Sequence, residues 1–260
     1  MSDLIAPVLR LERDGRVARV VVGSGVRRNA LRSGGWAGIE LVIRGLAGND
    51  SLRAVVLEGA AGWFCAGSDI REWAGATPEQ VELSFVRMEA ACTAIEELPV
   101  PVIAKVRGPS AGAGCQLALA CDMRILAAGA TMGMPIALLG ILVSPAFANR
   151  LAVHCGPSVA GELLYTGRMV RAQEAVRLGL ANACVPVDEL DHSVEVLVGA
   201  ILRVSGASVR AAKRALAERA APARSAARAM AGPPVDYDDF RRGVDTFEHR
   251  RRHRAARVAS

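Results

Sequence analysis

The apolar positions change period several times along the chain, and each change predicts an element. Residues 9–22 alternate apolar and polar around Asp14-Gly15, the turn pair whose positive φ angles match strand twist, so they predict a β-hairpin. Trp36, Ile39, Val42, Ile43 and Leu46 then fall on one side of a 3.6-residue period, predicting a helix over 33–46 capped by Ser33. A short apolar run at 53–58 reads as a buried strand. Thr77-Pro78-Glu79-Gln80 has the form of a capping box with proline at the first helical position, and predicts a helix to about residue 97, stopped by Leu98-Pro99-Val100-Pro101. Residues 102–106 form the next strand, followed by a glycine-rich loop, a helix over 114–120 and a strand over 123–126.

Beyond Pro145 the helical period dominates, with helices predicted at 145–154, 157–165, 171–178, 189–204, 208–220 and 236–252 and one strand at 182–186. The strand, loop, helix, strand rhythm of the first half argues for βαβ units with right-handed crossovers. The fold class is therefore α/β, with a core over 1–200 and a helical region over 201–260. Residues 220–234, rich in alanine and proline, read as a hinge ahead of the last helix.

Composition narrows the class further. The chain has 260 residues, 52% of them hydrophobic, which allows one substantial core; only 4% are aromatic, so aliphatic side chains do the packing. Residues 125–149 carry no charge, but three glycines and two prolines interrupt them, and they read as an interior wall rather than a membrane span. Six cysteines include no C-x-x-C pair and no Cys/His cluster at zinc spacing, so no metal site is expected. Reduced thiols and the charged N-terminal residues point to a cytoplasmic protein without a signal peptide. The net charge of +6 concentrates in the arginine-rich stretch 240–254, a solvated helix face or a seat for an anionic small molecule; no nucleic-acid-binding motif accompanies it.

Two glycine-bearing loops, each between a strand and a helix, are suited to aiming backbone N–H groups at one oxygen. Other chemistry-bearing residues have simpler readings. Ser144 precedes Pro145 and reads as a helix N-cap; His154 faces the core or a neighbouring subunit; Glu162 and Tyr165 share a helix; Asp122 anchors a strand turn; His249 and His253 have metal-like i,i+4 spacing among solvated arginines.

Four segments carry a resemblance: Phe64-Cys65-Ala66-Gly67-Ser68-Asp69, the run 108–122 with Ala111-Gly112-Ala113-Gly114, the run 132–140, and Leu163-Leu164-Tyr165-Thr166-Gly167-Arg168. With Arg28-Asn29-Ala30-Leu31 before them and 239–250 after, the chain resembles the crotonase family, also called the enoyl-CoA hydratase/isomerase family. That resemblance implies a spiral of ββα units with a C-terminal helical region over 201–260 that takes part in trimerisation, giving a homotrimer or a dimer of trimers. It implies an acyl-CoA thioester as partner, with coenzyme A entering only as part of the substrate and no further cofactor. Coenzyme A is expected near Arg27, Arg28, Ala66 and Ser68, with basic residues of the terminal helix meeting its phosphates.

The main-chain N–H groups of Ser68 and Ala113 correspond to the pair that holds a thioester oxygen in the family. Gln116 and Ile136 stand where family hydratases carry two glutamates. Gln116 can orient a water but not accept its proton, and Ile136 can do neither. Asp69, which follows Ser68, usually holds the loop. Ser144 aligns with a position at which some dehalogenases and hydrolases of the family carry an aspartate. The expectation is an enzyme that stabilises a thioester enolate for isomerase- or lyase-type chemistry rather than hydration. A catalytically inactive acyl-CoA-binding or accessory subunit is the alternative.

Overall fold

The computed structural model describes residues 7–12, 14–229 and 233–259. Strands β1 (Val8–Glu12) and β2 (Val17–Val22) form the expected hairpin, with Asp14 at φ 57° and Gly15 at φ 77° in its turn. The following strands are β3 (Ala54–Gly59), β4 (Val102–Val106), β5 (Pro109–Ala111), β6 (Met123–Ala127), β7 (Thr131–Gly133), β8 (Met169–Arg171) and β9 (Ala183–Val185). A six-stranded sheet runs β1-β2-β3-β4-β6-β9, parallel from β2 onward; a three-stranded sheet, β5-β7-β8, stands apart from it.

The helices are α1 (Ser33–Leu46), α2 (Pro78–Glu97), α3 (Ala113–Ala120), α4 (Pro145–Thr166), α5 (Ala172–Arg177), α6 (Leu190–Arg203), α7 (Gly206–Ala229) and α8 (Tyr237–Ala259). The central strands are apolar on both sides because both faces of the large sheet are covered. Val55, Leu57, Ala104 and Val106 face the main core, which includes residues of α1, α2 and α3, whereas Val17, Val56, Ile103 and Ile125 pack with Leu190, Val194 and Val198 of α6.

Several expectations need adjusting. Ser33 does not cap α1 with its side chain; its N–H donates to Glu72 Oε2 at 2.7 Å, and its hydroxyl accepts from Arg87 at 3.0 Å. A carboxylate brought from a distant turn thus does the capping. The strands of the small sheet span three residues each, too few for alternation to reveal them, and all three escape the sequence pattern. α7 continues to Ala229, through most of the segment expected to be a hinge, and residues 230–232 lie outside the described residues. The two helices expected around residue 156 form one element with a break at Gly156, φ 77°, directly before Pro157.

The charge-free stretch supplies part of β6, β7 and the start of α4. No described helix is long and apolar enough to cross a membrane. α7 packs along α4, and Lys213 on α7 reaches Asp122, the Ile95 carbonyl and the Val100 carbonyl at 2.8, 3.3 and 2.9 Å. Asp122 also accepts from the Val102 N–H at 2.7 Å, the strand-anchoring role expected of it.

Candidate active site

The 64–69 loop is held from below by Asn29. This buried side chain donates to the carbonyls of Ala60, Trp63 and Phe64 at 2.9, 2.7 and 3.3 Å and accepts from Gly25 N–H at 2.6 Å. Arg27, Arg28 and Asn29 all take positive φ, near 55–58°, a costly run for non-glycine residues that these bonds hold in place. Leu31 then bonds on either side of Ser68: its N–H reaches the Gly67 carbonyl and its carbonyl accepts from the Asp69 N–H, both at 2.8 Å. That parallel-bridge pattern turns the Ser68 N–H away from Leu31, and it has no acceptor among the described residues. The Ser68 hydroxyl accepts from Trp36 Nε1 at 3.2 Å. Asp69 is 4% exposed and locks the far end of the loop, pairing with Arg27 at 2.7 Å and Arg71 at 3.1 Å and capping the turn through Arg71 N–H.

The second loop touches the first. A Cβ added to Gly114 would stand 2.1 Å from the Cys65 carbonyl oxygen and 3.0 Å from the Gly67 nitrogen. One added to Gly67, at φ 98°, would stand 2.5 Å from the Ala111 oxygen and 3.4 Å from the Ala113 nitrogen. Only glycine fits at these two positions, which explains the motif spacing in both loops. Gly112 adopts φ 52°, ψ −118°, donates to the Gly133 carbonyl at 2.9 Å, and hands the chain to α3. Ala113 begins that helix, so its N–H has no intrahelical partner, and no other acceptor meets it among the described residues.

Gln116 sits on α3 with no exposed surface. Its Nε2 contacts Met134 Sδ at 3.4 Å and donates to the Phe147 carbonyl at 3.3 Å, while its Oε1 accepts from Arg150 at 2.9 Å. Arg150 in turn pairs with Glu89 at 2.8 Å and Glu96 at 2.6 Å. Gln116 is therefore held in a buried polar network, and its amide protons face protein groups rather than a water channel. Ile136 is 8% exposed; its Cγ2 overhangs Gly112, lying 3.8 Å from the place a Cβ would occupy there.

Ser144 is exposed and accepts from the Phe147 N–H at 3.2 Å, the N-cap bond expected at the start of α4. His154 lies against Arg124 at 3.4 Å and the Leu119 carbonyl at 3.2 Å; burial first, and then the Arg124 charge, bring its pKa down to about 4. It is neutral and structural at physiological pH. Glu162 pairs with Arg168 at 2.6 Å and Tyr165 is exposed. His249 is exposed on α8, the His253 side chain lies outside the described residues, and no cluster of possible metal ligands occurs among the described residues. Burial raises the thiol pKa values of Cys65, Cys115 and Cys121 to about 12, so these thiols stay protonated.

Of the residues expected to meet coenzyme A, Arg27 and Arg28 are exposed and Ala66 is half-buried. The Ala66 N–H bonds to the Arg28 carbonyl at 2.9 Å, and the Arg28 guanidinium lies 5.1 Å from the Trp63 ring centre. Trp63 also lines a cavity of about 130 Å³ with Glu58, Lys105 and Arg107. A larger cavity, about 380 Å³, lies beneath α8 and is lined by Trp73, Val81, Tyr237, Phe240 and Val244 among others. Arg150, Glu89 and Trp73 were not singled out from the sequence. Arg150 and Glu89 carried no motif, and Trp73 marks its place only as a rare aromatic near Ser68.

A parallel sheet feeding two interlocked glycine loops, whose Ser68 and Ala113 N–H groups meet no acceptor among the described residues, defines an α/β class of protein with a main-chain donor site. The chain belongs to the family described as enoyl-CoA hydratase/isomerase, whose pattern it matches across residues 13–255. It is 31% identical over 207 residues to a short-chain-enoyl-CoA hydratase of Clostridium acetobutylicum, covering 79% of each chain. It is also 31% identical over 209 residues to a crotonyl-CoA hydratase of Syntrophomonas wolfei, covering 80% of each. A crystal structure of an enoyl-CoA hydratase from Mycobacterium smegmatis superposes with a TM-score of 0.77 at 31% identity, covering 86% of this chain and 89% of that one. The expected α/β fold of that family is the fold observed.

Proposed function

We propose that this protein acts on an acyl-CoA thioester, holding the thioester oxygen with the N–H groups of Ser68 and Ala113 and stabilising an enolate for lyase- or isomerase-type chemistry. The observation that carries the reading is the pair of N–H groups, on two touching loops, that meet no acceptor among the described residues. One such donor is typically worth ~2.7–4 kcal/mol toward an oxyanion. Arg27 and Arg28 would meet coenzyme A phosphates, and the chain would work as a trimer or a dimer of trimers.

Hydration needs a group that removes a proton from water and a group that delivers one to the α-carbon. Neither Gln116, enclosed by Arg150 and the Phe147 carbonyl, nor Ile136 supplies it. Loss of CO₂ from a malonyl-type thioester makes the smallest demand. The bond from the α-carbon to the carboxylate breaks, its electron pair moves into the thioester as an enolate, CO₂ departs, and water returns one proton to the α-carbon. Isomerisation or carbon–carbon cleavage would use the same intermediate.

The sealed Gln116 network also favours a second reading, an accessory subunit that binds acyl-CoA without turning it over. Incubation with malonyl-type, β-oxo and enoyl thioesters in D₂O separates the readings. The enzyme yields product or deuterium at the α-carbon on some member of the panel while hydrating crotonyl-CoA poorly; the accessory subunit binds the thioesters and changes none. Rapid hydration of crotonyl-CoA as the fastest reaction would overturn both.

A further inference from the structure

The loop that carries the Ser68 N–H has two polar side chains, at Cys65 and Ser68, that bond inward. Cys65 has no exposed surface; its thiol donates to the Asn29 carbonyl at 3.3 Å, and its sulfur accepts from the Gly67 N–H at 3.4 Å. Burial keeps that thiol protonated, with its pKa pushed up to about 12, so it donates and accepts a hydrogen bond at once. The Ser68 hydroxyl accepts from Nε1 of the fully buried Trp36 at 3.2 Å and donates toward Met88 Sδ at 3.9 Å.

What these bonds control follows from the geometry of one peptide. The Ser68 N–H shares a rigid plane with the Gly67 carbonyl and points the opposite way, so its aim is set by rotation of that plane. Gly67 stands at φ 98° without a Cβ, and glycine offers little resistance to such rotation. The Leu31 N–H holds the carbonyl edge of the plane at 2.8 Å. The Cys65 sulfur fixes the chain just before it, through the Gly67 N–H, and Trp36 fixes the residue just after it, through Ser68 Oγ. Gly67 is buried, so the sulfur is also the acceptor that satisfies its N–H.

Resting on the donor-site reading above, we propose that Cys65 and Trp36 are positioning residues, whose side chains hold the Gly67–Ser68 peptide at the angle that presents the Ser68 N–H to a thioester oxygen. Neither side chain has to touch the substrate to do so. Main-chain bonds of the loop, including that from the Ala111 N–H to the Cys65 carbonyl at 3.4 Å, survive replacement of either side chain. Loss of one bond therefore lets the peptide plane swing while the loop stays in place, and it weakens polarisation of the bound carbonyl more than binding of the rest of the ligand.

The test follows the ¹³C-labelled thioester carbonyl of butyryl-CoA by infrared spectroscopy in the full-length protein, with the affinity for free CoA measured alongside. The variants are Cys65→Ala, Cys65→Ser, Ser68→Ala and Trp36→Phe. In the unaltered protein the carbonyl band moves to lower frequency on binding. Cys65→Ala should lose about half or more of that shift and bind butyryl-CoA about three- to tenfold more weakly, while free CoA binds within about twofold of the parent. Cys65→Ser, whose hydroxyl also donates and accepts, should restore most of the shift. Ser68→Ala keeps the main-chain N–H and breaks the same bond as Trp36→Phe from the other end; each should reduce the shift, and the double variant should reduce it no further. Ser68→Ala also keeps the test open if Cys65→Ala fails to fold. A full shift in both alanine variants, or a Cys65→Ser as impaired as Cys65→Ala, overturns the inference and leaves the donor reading intact. A shift lost only in step with CoA affinity overturns it as well. A band that does not move in the unaltered protein overturns the donor reading and the inference together.

Discussion

Replacing Gln116 by glutamate restores in name the carboxylate implied by resemblance at that position, and the structure predicts that it damages the fold instead of the reverse. The new carboxylate would have no exposed surface and would face Arg150, which already serves Glu89 and Glu96. Taking a carboxylate out of water costs several kcal/mol, and one charge-assisted bond to Arg150 returns only about 1.5–3 kcal/mol. Loss of the Nε2 donation to the Phe147 carbonyl adds about 1 kcal/mol. The net expectation is a loss of about 2–4 kcal/mol at pH 8, read from urea unfolding curves. Burial raises the pKa of the introduced group in the folded state above the ordinary glutamate value, so between those two pKa values the folded state binds the extra proton. Stability therefore falls as pH rises through that window, and the deficit should shrink at pH 5. Hydration of crotonyl-CoA should rise less than about tenfold, because the carboxylate is tied to Arg150 rather than presented to a substrate. A variant as stable as the parent at pH 8, or a deficit that does not change with pH, would refute the reasoning.

Ser144→Ala should cost about 1 kcal/mol, the usual worth of a helix N-cap, and leave turnover of the best thioester within twofold; a large loss of turnover at unchanged stability would make Ser144 part of the chemistry. Gly67→Ala puts a methyl 2.5 Å from the Ala111 oxygen at φ 98°, so it should lower stability by about 2–4 kcal/mol and enolate-dependent turnover by about 10²–10³-fold, read by urea unfolding and deuterium incorporation. His154, brought down to about 4 from an ordinary value near 6.5, leaves the unfolded chain binding the extra proton between those pH values. Stability should thus be fully present above about pH 6.5 and fall by up to about 3 kcal/mol as pH drops to 4, a loss that His154→Gln would flatten in unfolding curves taken across that range.

The helices and the large sheet were legible wherever a period ran long enough or a cap was written in local chemistry. The Thr77 and Gln80 capping box is formed by both of its bonds, and Asp14-Gly15 closes the hairpin as its φ angles require. The small sheet was not legible, because three-residue strands bordered by glycine carry no alternation. Ser33 misled for a different reason: the group that caps α1 is Glu72, 39 positions away, and proximity of that kind is created by folding alone. The two donor loops were visible as glycine patterns, and the structure supplies the reason, backbones in contact at Gly67 and Gly114. The Arg150 network around Gln116 was invisible, since α2, α3 and α4 each contribute ordinary-looking residues that become a site only when packed together.

Whether two backbone amides grip one thioester oxygen is open to direct observation in the infrared. Butyryl-CoA labelled with ¹³C at the thioester carbonyl should show its stretching band moved to lower frequency on binding, as two strong donors weaken the C=O bond, with the shift lost in Gly67→Ala. A carbonyl band at the same frequency bound and free would contradict the account at its centre.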